Sequence, residues 1–308
     1  MKHFDAIHPS FVAERRNVRL GLCTYGFQPF GISGSQHSTW TIIITPYNLP
    51  PSMCMKEPYM YFTVVLPRPK NPKHRMDVFL QPVIEELKHL WEEDVVTYDV
   101  SLIHNFKMRA TFMWTISDFP AYAMLSGWGT AGKLACPYCG KYSQSIRLEN
   151  SNKTSWFDCH RRFLKPDHPF RKNKTKFRKN RVEKGGPPPI MSGIEVLMTE
   201  ENAKAVNKAC IKRHECGWRK RSIFWDLPYW KTNLMRHNLD VMHIEKNMKS
   251  KDNSKARDDM KNICKRKDLE KNQTTGKYPP SPYALTREQK KVICKWVQSL
   301  AFPDAYVL

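Results

Sequence analysis

Three groups of residues in this 308-residue chain have the types and spacing to do chemistry. The first is a set of carboxylates, Asp118, Asp240 and Glu245, each set among apolar neighbours. Oxygen donors of this kind suit Mg²⁺ or Mn²⁺, which take a few carboxylates and keep several waters. The second is Cys136-x2-Cys139 followed by His160 and His168. Two thiolates and two imidazoles make a tetrahedral Zn²⁺ site, the Cys-x2-Cys forming the turn of a knuckle. Twenty residues separate Cys139 from His160 and seven separate the histidines, a longer gap than in a common zinc finger. Cys159 competes for the fourth position, and a pair of core thiols is the reading against which zinc is preferred. Cys210, His214 and Cys216 form a second cluster, read as incidental. The third group is "RKNKTKFRKNR", in which Arg171, Lys172, Lys174, Lys176, Arg178, Lys179 and Arg181 would meet phosphates without reading bases. The same run resembles a nuclear import signal, and a solvated loop has the same composition.

The elements that must position these groups are legible in outline. Val18–Thr24 and Thr39–Thr45 read as strands, with Trp40, Ile42 and Ile44 on one face of the second. "LCTYGFQPFG" lies between them and reads as a strand tip with Tyr25 presented and a glycine turn after it. Glu57–Leu66 is a continuous apolar run, the pattern of a strand buried on both faces. Leu80, Ile84, Leu87 and Trp91 form one stripe of a helix over Asp77–Glu93. Phe106–Ile116 alternates as a strand ending at Asp118, which in "SDFPAY" is also a good helix N-cap.

Leu234 to about Asn247 reads as a helix. On it Asp240 shares a face with His237 and His243, but lies about 140° round from Glu245, so both acids cannot face one metal pair. Thr286–Leu300 is a last helix opened by a Thr286/Gln289 capping box. Strand, strand, strand, helix, strand, interruption, helix is the opening of an RNase H-like α/β fold, one candidate among several α+β orders. Enzymes of that fold hold two Mg²⁺ ions with an acid on the first strand, one at the end of the fourth and one on a later helix. The first strand has no acid. Residues 1–16 read as a lead-in and 17–126 as the first part of the sheet domain. Residues 127–217 read as a Cys/His insertion with basic and Pro-rich disordered segments, and 218–308 as an incomplete remainder of the domain.

The totals set the partner. Fifty-one Lys and Arg against 29 Asp and Glu give a net charge of +22, which points to a polyanion, most simply nucleic acid. No apolar run reaches the ~18 residues of a membrane span, and the N-terminal residues lack the core of a signal peptide. Nine cysteines then belong in a reducing compartment.

Six long words carry a resemblance: "FGISGSQHSTWTIIITPYNLPPSMCMKEPYM", "DVFLQPVIEELKHLWEEDVVTYD", "MRATFMWTISDFPAY", "LSGWGTAGKLACPYC", "HRRFLKPDHPFR" and "SIFWDLPYWKTNLMRHNLDVMHIEKN". Through them the chain resembles the transposases of plant CACTA (En/Spm) DNA transposons over most of residues 20–250. The resemblance implies an RNase H-like enzyme of DDE type that cuts and joins DNA in the nucleus with Mg²⁺ or Mn²⁺. In the family pattern the opening stretch is Asp-Gly-Phe-x-Pro-Phe-Gly; here it is "YGFQPFG". Tyr25 therefore stands where the resemblance expects the first acid, Asp118 matches the second, and the third is Asp240 or Glu245, with Asp240 preferred. A phenol is uncharged near neutral pH and bulkier than a carboxylate, so metal affinity and rate should both fall. The family's apolar helical run after "HIEKN" is also replaced by "MKSKDNSKARDD". The resemblance thus implies an inactive transposase-derived protein, with a non-catalytic nuclear DNA-binding protein or a decayed element product as alternatives. A tyrosine nucleophile in the manner of tyrosine recombinases needs an Arg/His cluster on a helical fold, which the β-rich order opposes.

Overall fold

A computed structural model of the protein describes residues 1–28, 38–54, 56–68, 72–156, 158–177, 181–209, 217–241, 254–263, 266, 269–279 and 286–299. The chain opens with two short helices, α1 (Lys2–Ile7) and α2 (Pro9–Val12). The expectation of a loose lead-in is therefore corrected. Phe4 and Phe11 are buried, and both pack against Trp91. Apolar burial of two aromatics outweighs the low helical tendency of so short a segment.

β1 (Val18–Phe27), β2 (Ser38–Pro46) and β3 (Tyr61–Arg68) form an antiparallel meander, with the one-turn helix α3 (Pro51–Cys54) between the last two. Gly26 is inside β1, opposite Trp40, and not in a turn. A Cβ at this position would run into the Trp40 indole, so a close packing contact explains the glycine. β3 is the sheet edge, with Tyr61, Phe62 and Val65 exposed. The reading of a strand buried on both faces was wrong there, because an apolar run alone does not say how many neighbours a strand has.

α4 (Met76–Glu92) follows, and its Leu80, Ile84 and Leu87 stripe is buried in the core with Leu22, Ile42 and Phe112. The single strand expected over Phe106–Ile116 is two. β4 (Val95–Asp99) pairs with β5 (His104–Met108) as a separate hairpin, and β6 (Ala110–Ser117) starts after a break at Arg109. The break has a buried cause: Asn17 Oδ1 accepts from the Arg109 N–H at 2.7 Å while Asn17 Nδ2 donates to the Phe11 carbonyl at 2.7 Å. β6 then runs parallel to β1.

α5 (Phe119–Ser126) is capped by Asp118 and closed by Gly127 in the left-handed region. Beyond it come β7 (Ile146–Leu148), β8 (Lys153–Ser155), α6 (Pro169–Lys172) and α7 (Gly193–Ala209). The 17-residue α7 lies in the stretch expected to be irregular. Its signal was present: Ser192 and Glu195 form a reciprocal capping box. The ends of this stretch meet. The Gly129 N–H donates to Gly217 O, the Arg219 N–H donates to Gly127 O, and the Trp128 and Trp218 rings stand edge to face.

The last strand, β9 (His237–Leu239), is parallel to β6 and completes the order β3-β2-β1-β6-β9. The helix expected over 234–247 is thus corrected for 237–239, while residues 242–253 lie outside the described set. Helices Ser254–Ile263 and Arg287–Ser299 follow, the second opened by the Thr286/Gln289 capping box as expected. The fold is a mixed α/β one built on a five-stranded sheet. Among the described residues no helix is long and apolar enough to cross a membrane.

His237 gives the sheet a pH-sensitive point. Its Nδ1 meets Thr115 Oγ1 at 2.8 Å, its Nε2 is shielded from water, and the Phe224, Trp230 and Tyr122 rings surround it. Burial, reinforced by Arg236 and Lys220, lowers its pKa to about 3. The neutral form is therefore the native one, and the unfolded chain takes up a proton that the native chain refuses between pH 6.5 and about 3. Stability should fall across that window as pH drops, at up to about 1.4 kcal/mol per pH unit. Urea unfolding between pH 4 and 6 should show this slope in the wild type and about one proton less in His237→Phe. Equal slopes would show that His237 is not the titrating group.

Candidate functional site

The parallel strands bring three sequence-distant positions to one edge. Thr24 pairs with Ser117, and Ser117 with Leu239, so the next residues, Tyr25 in β1, Asp118 just past β6 and Asp240 just past β9, follow that row at the same edge of the sheet. The Asp240 N–H donates to the Ser117 carbonyl at 2.9 Å, which carries the pairing one residue past β9. Side chains alternate along a strand, so Cys23 and Tyr25 share a face. The Cys23 thiol is raised above its ordinary value by burial first and by Asp240 second, which puts the Asp240 carboxylate near that face. Tyr25 is 42% exposed, and its ring lies 6.2 Å from that of Phe27.

Asp118 stands at the strand end that its sequence context offered and caps the helix that follows. It stands at the end of β6, and its Oδ1 accepts from the Ala121 N–H at 2.8 Å as the cap of α5. Its second oxygen is on the same carboxylate as the cap, so a cation bound there would be held by a side chain already oriented by the helix. Glu245 and His243 lie outside the described residues. Asp240 follows a strand and not the middle of a helix, so its helical face with His237 is replaced by strand alternation. His237 points into the aromatic cluster, on the face opposite Asp240.

The cysteine–histidine group is built by two short turns. In "CPYC" the Gly140 N–H donates to Cys136 O at 3.0 Å, and Gly140 takes φ +51, a left-handed value that suits glycine. The facing turn is the 3₁₀ segment Asp158–Phe163, anchored by Trp156, whose Nε1 donates to Lys133 O at 2.9 Å. Together they bring the ligand atoms of Cys136, Cys139 and His160 within 4.8 Å of one another. His160 Nε2 is buried with no hydrogen-bond partner, as a nitrogen waiting on a cation would be. Burial lowers the His160 pKa, with Arg162 adding to it, so the ring is held neutral with a lone pair available. Burial likewise keeps the Cys136 thiol above its ordinary value. These three residues could hold a metal ion. His168 lies outside the group and its Nδ1 accepts from the Phe170 N–H as the cap of α6. Cys159 is buried and also outside it. Cys210, His214 and Cys216 fall outside the described residues.

The basic run divides. Arg171, expected among the phosphate contacts, is corrected: it is 4% exposed, and its guanidinium donates to the carbonyls of Arg162, Leu164, Glu183 and Gly185. Lys172, Lys174, Lys176 and Arg181 are exposed, while Arg178 and Lys179 lie outside the described residues. Two further arginines were not singled out in the sequence. Arg161 and Arg162 directly follow His160 in "HRRF" and are both buried. Their position beside a candidate ligand was the available signal.

The model of a family described as transposase family tnp2 matches residues 1–202 of the chain. No curated protein is similar to it at a significant level.

Metal uptake tests the three-residue group. The protein should bind one metal ion per chain, and His160→Ala or Cys136→Ser should abolish that binding. His168→Ala should keep it. Metal content measured after gel filtration checks this, and loss of the ion from His168→Ala would place that histidine among the ligands.

Proposed function

Because the chain belongs to the tnp2 family of transposases, we propose that it is a CACTA (En/Spm)-type, DDE-derived DNA-binding protein whose catalytic row is broken at its first position. The observation that carries this reading is Tyr25 in line with Asp118 and Asp240 across three parallel strands. The strand order, with an antiparallel meander joined to two parallel strands, supports an RNase H-like sheet. In an active row, three carboxylates would hold two Mg²⁺ or Mn²⁺ ions, which activate the attacking oxygen and stabilise the leaving one. Here Asp118 and Asp240 would supply the remaining charge, and Tyr25 supplies none.

The other parts of the chain support retained DNA binding. A net charge of +22 and the exposed Lys172, Lys174, Lys176 and Arg181 favour a phosphate backbone. A soft, nitrogen- and sulfur-rich donor set favours Zn²⁺ at Cys136, Cys139 and His160, with a fourth ligand completing the tetrahedron. Its role there is structural, because few apolar side chains are buried around the two turns. The nucleus is the compartment that suits a DNA partner and a basic run of this kind.

Restoring the charge tests the reading. With Mg²⁺ or Mn²⁺ and supercoiled plasmid, Tyr25→Asp should nick on the order of 100-fold or more faster than the wild type. Asp118→Asn in the Tyr25→Asp background should silence it again. Nicking by the wild type at the rate of Tyr25→Asp would mean that residue 25 is not the missing ligand.

A further inference from the structure

We propose that Arg161 makes residues 170–177 and Arg181 a preformed clamp for the phosphate backbone of duplex DNA, and that metal bound by the neighbouring His160 holds the clamp in place. The inference rests on the DNA-binding and metal readings above and assigns a mechanism that couples them.

Arg161 is 5% exposed and gathers both ends of the basic segment. Its Nη1 donates to the carbonyls of Phe170 at 3.1 Å, Arg171 at 3.4 Å and Asn173 at 3.5 Å. Its Nη2 donates to Arg181 O at 3.4 Å, from the opposite end. The Phe177 ring lies under the guanidinium, 4.4 Å away. One side chain thus ties residues 170–173, 177 and 181 into a hoop. Asn173 Oδ1 shapes the near side by accepting from the N–H groups of Thr175 and Lys176. Among the described residues, the exposed cations of this hoop are Lys172, Lys174, Lys176 and Arg181. Holding them in advance removes the ordering cost that a loose basic loop would meet on binding.

The link to the metal is one peptide bond. His160 and Arg161 are consecutive in the 3₁₀ segment Asp158–Phe163, and Arg162 donates to Tyr142 O at 2.9 Å, three residues past Cys139. The segment therefore touches the ligand group on one side and the hoop on the other. A cation drawing His160 toward Cys136 and Cys139 fixes the segment from which Arg161 projects. Without it His160 loses its tie to Cys136 and Cys139, and the segment relies on contacts such as Arg162 to Tyr142 O and Arg171 to Arg162 O.

The test is anisotropy of a short labelled DNA duplex against salt, with the zinc-loaded full chain, the chelated chain and variants. Each phosphate contact contributes about 0.9 to the slope of log K against log salt. Arg161→Gln and chelation should each remove about two to four contacts and weaken binding roughly tenfold or more at moderate salt. Lys174→Gln/Lys176→Gln should weaken it to a similar degree by direct loss of charge. Arg161→Gln should keep one zinc per chain, which separates a displaced hoop from an unfolded protein. Phe177→Ala, which removes the ring under the guanidinium, is the second variant and should lower the slope in the same way. An unchanged slope in both Arg161→Gln and Phe177→Ala would overturn the clamp. An unchanged slope in protein shown to have released its zinc would overturn the coupling while leaving the metal site standing. Failure of the full chain to take up zinc at all would overturn the metal reading and the coupling with it.

Discussion

The far edge of β6 is the constraint on which the arrangement depends. A central strand buried on both faces must pair its N–H and C=O groups on both sides, because each unpaired buried group costs about 1–3 kcal/mol. On one side β1 does this along the strand's length. On the other, β9 covers only Thr115–Ser117. The remainder is met by side chains: Tyr229 Oη accepts from the Phe112 N–H at 2.9 Å, and Asn233 Nδ2 donates to the carbonyls of Phe112 and Met113. Both residues come from "DLPYWKTN", just before β9, so the same short segment that closes the edge also sets where β9 begins. Residue 240 lands beside residue 118 as a consequence.

This explains which parts were legible in the sequence. Leu80, Ile84 and Leu87 at helical spacing, the β-branched run in "TIIIT" and the Thr286/Gln289 cap are local signals, and each matches its element. β9 was missed because three residues carry no periodicity, and because "NLMRHNLDVMHIEKN" has apolar residues at spacings that suit a helix. Its strand state is decided by β6, more than 100 residues earlier in the chain. The hairpin β4–β5 was merged with β6 for a related reason. Alternation runs unbroken through Lys107, Arg109 and Thr111, and only the buried Asn17 side chain divides it.

The candidate sites were legible in a different way. Asp118 and Asp240 were readable as positions, and their shared row needed the parallel register. Cys136 and Cys139 were readable from spacing, and His160 from chemistry, but nothing in the sequence separates His160 from His168. The structure separates them by what each nitrogen does: one His160 nitrogen is buried without a partner, while His168 caps a helix. The basic run was expected to meet phosphates along its whole length, because charge was taken to mean exposure. Arg171 instead has four carbonyls to satisfy its fork, and a guanidinium so surrounded is an organising centre for a segment with little apolar core.

Under the proposed reading, the place of Tyr25 in the sheet accounts for how the fold would tolerate a change of charge there. Residues 22 and 24 of β1 face the core, where Leu22 is fully buried and Thr24 donates to Thr41 O at 2.7 Å. Residue 25 points the other way and remains substantially exposed. The backbone of residue 25 is held by β2 whatever its side chain, through the pair Tyr25–Thr41. A change from carboxylate to phenol there alters the charge of the row and leaves the register, the core and the β6 edge as they were. Asp118 differs, since it also caps α5, and its loss would expose the first turn of that helix. Of Tyr25 and Asp118, the first is therefore the side chain without a capping role, which suits the proposal that an acid has been replaced there.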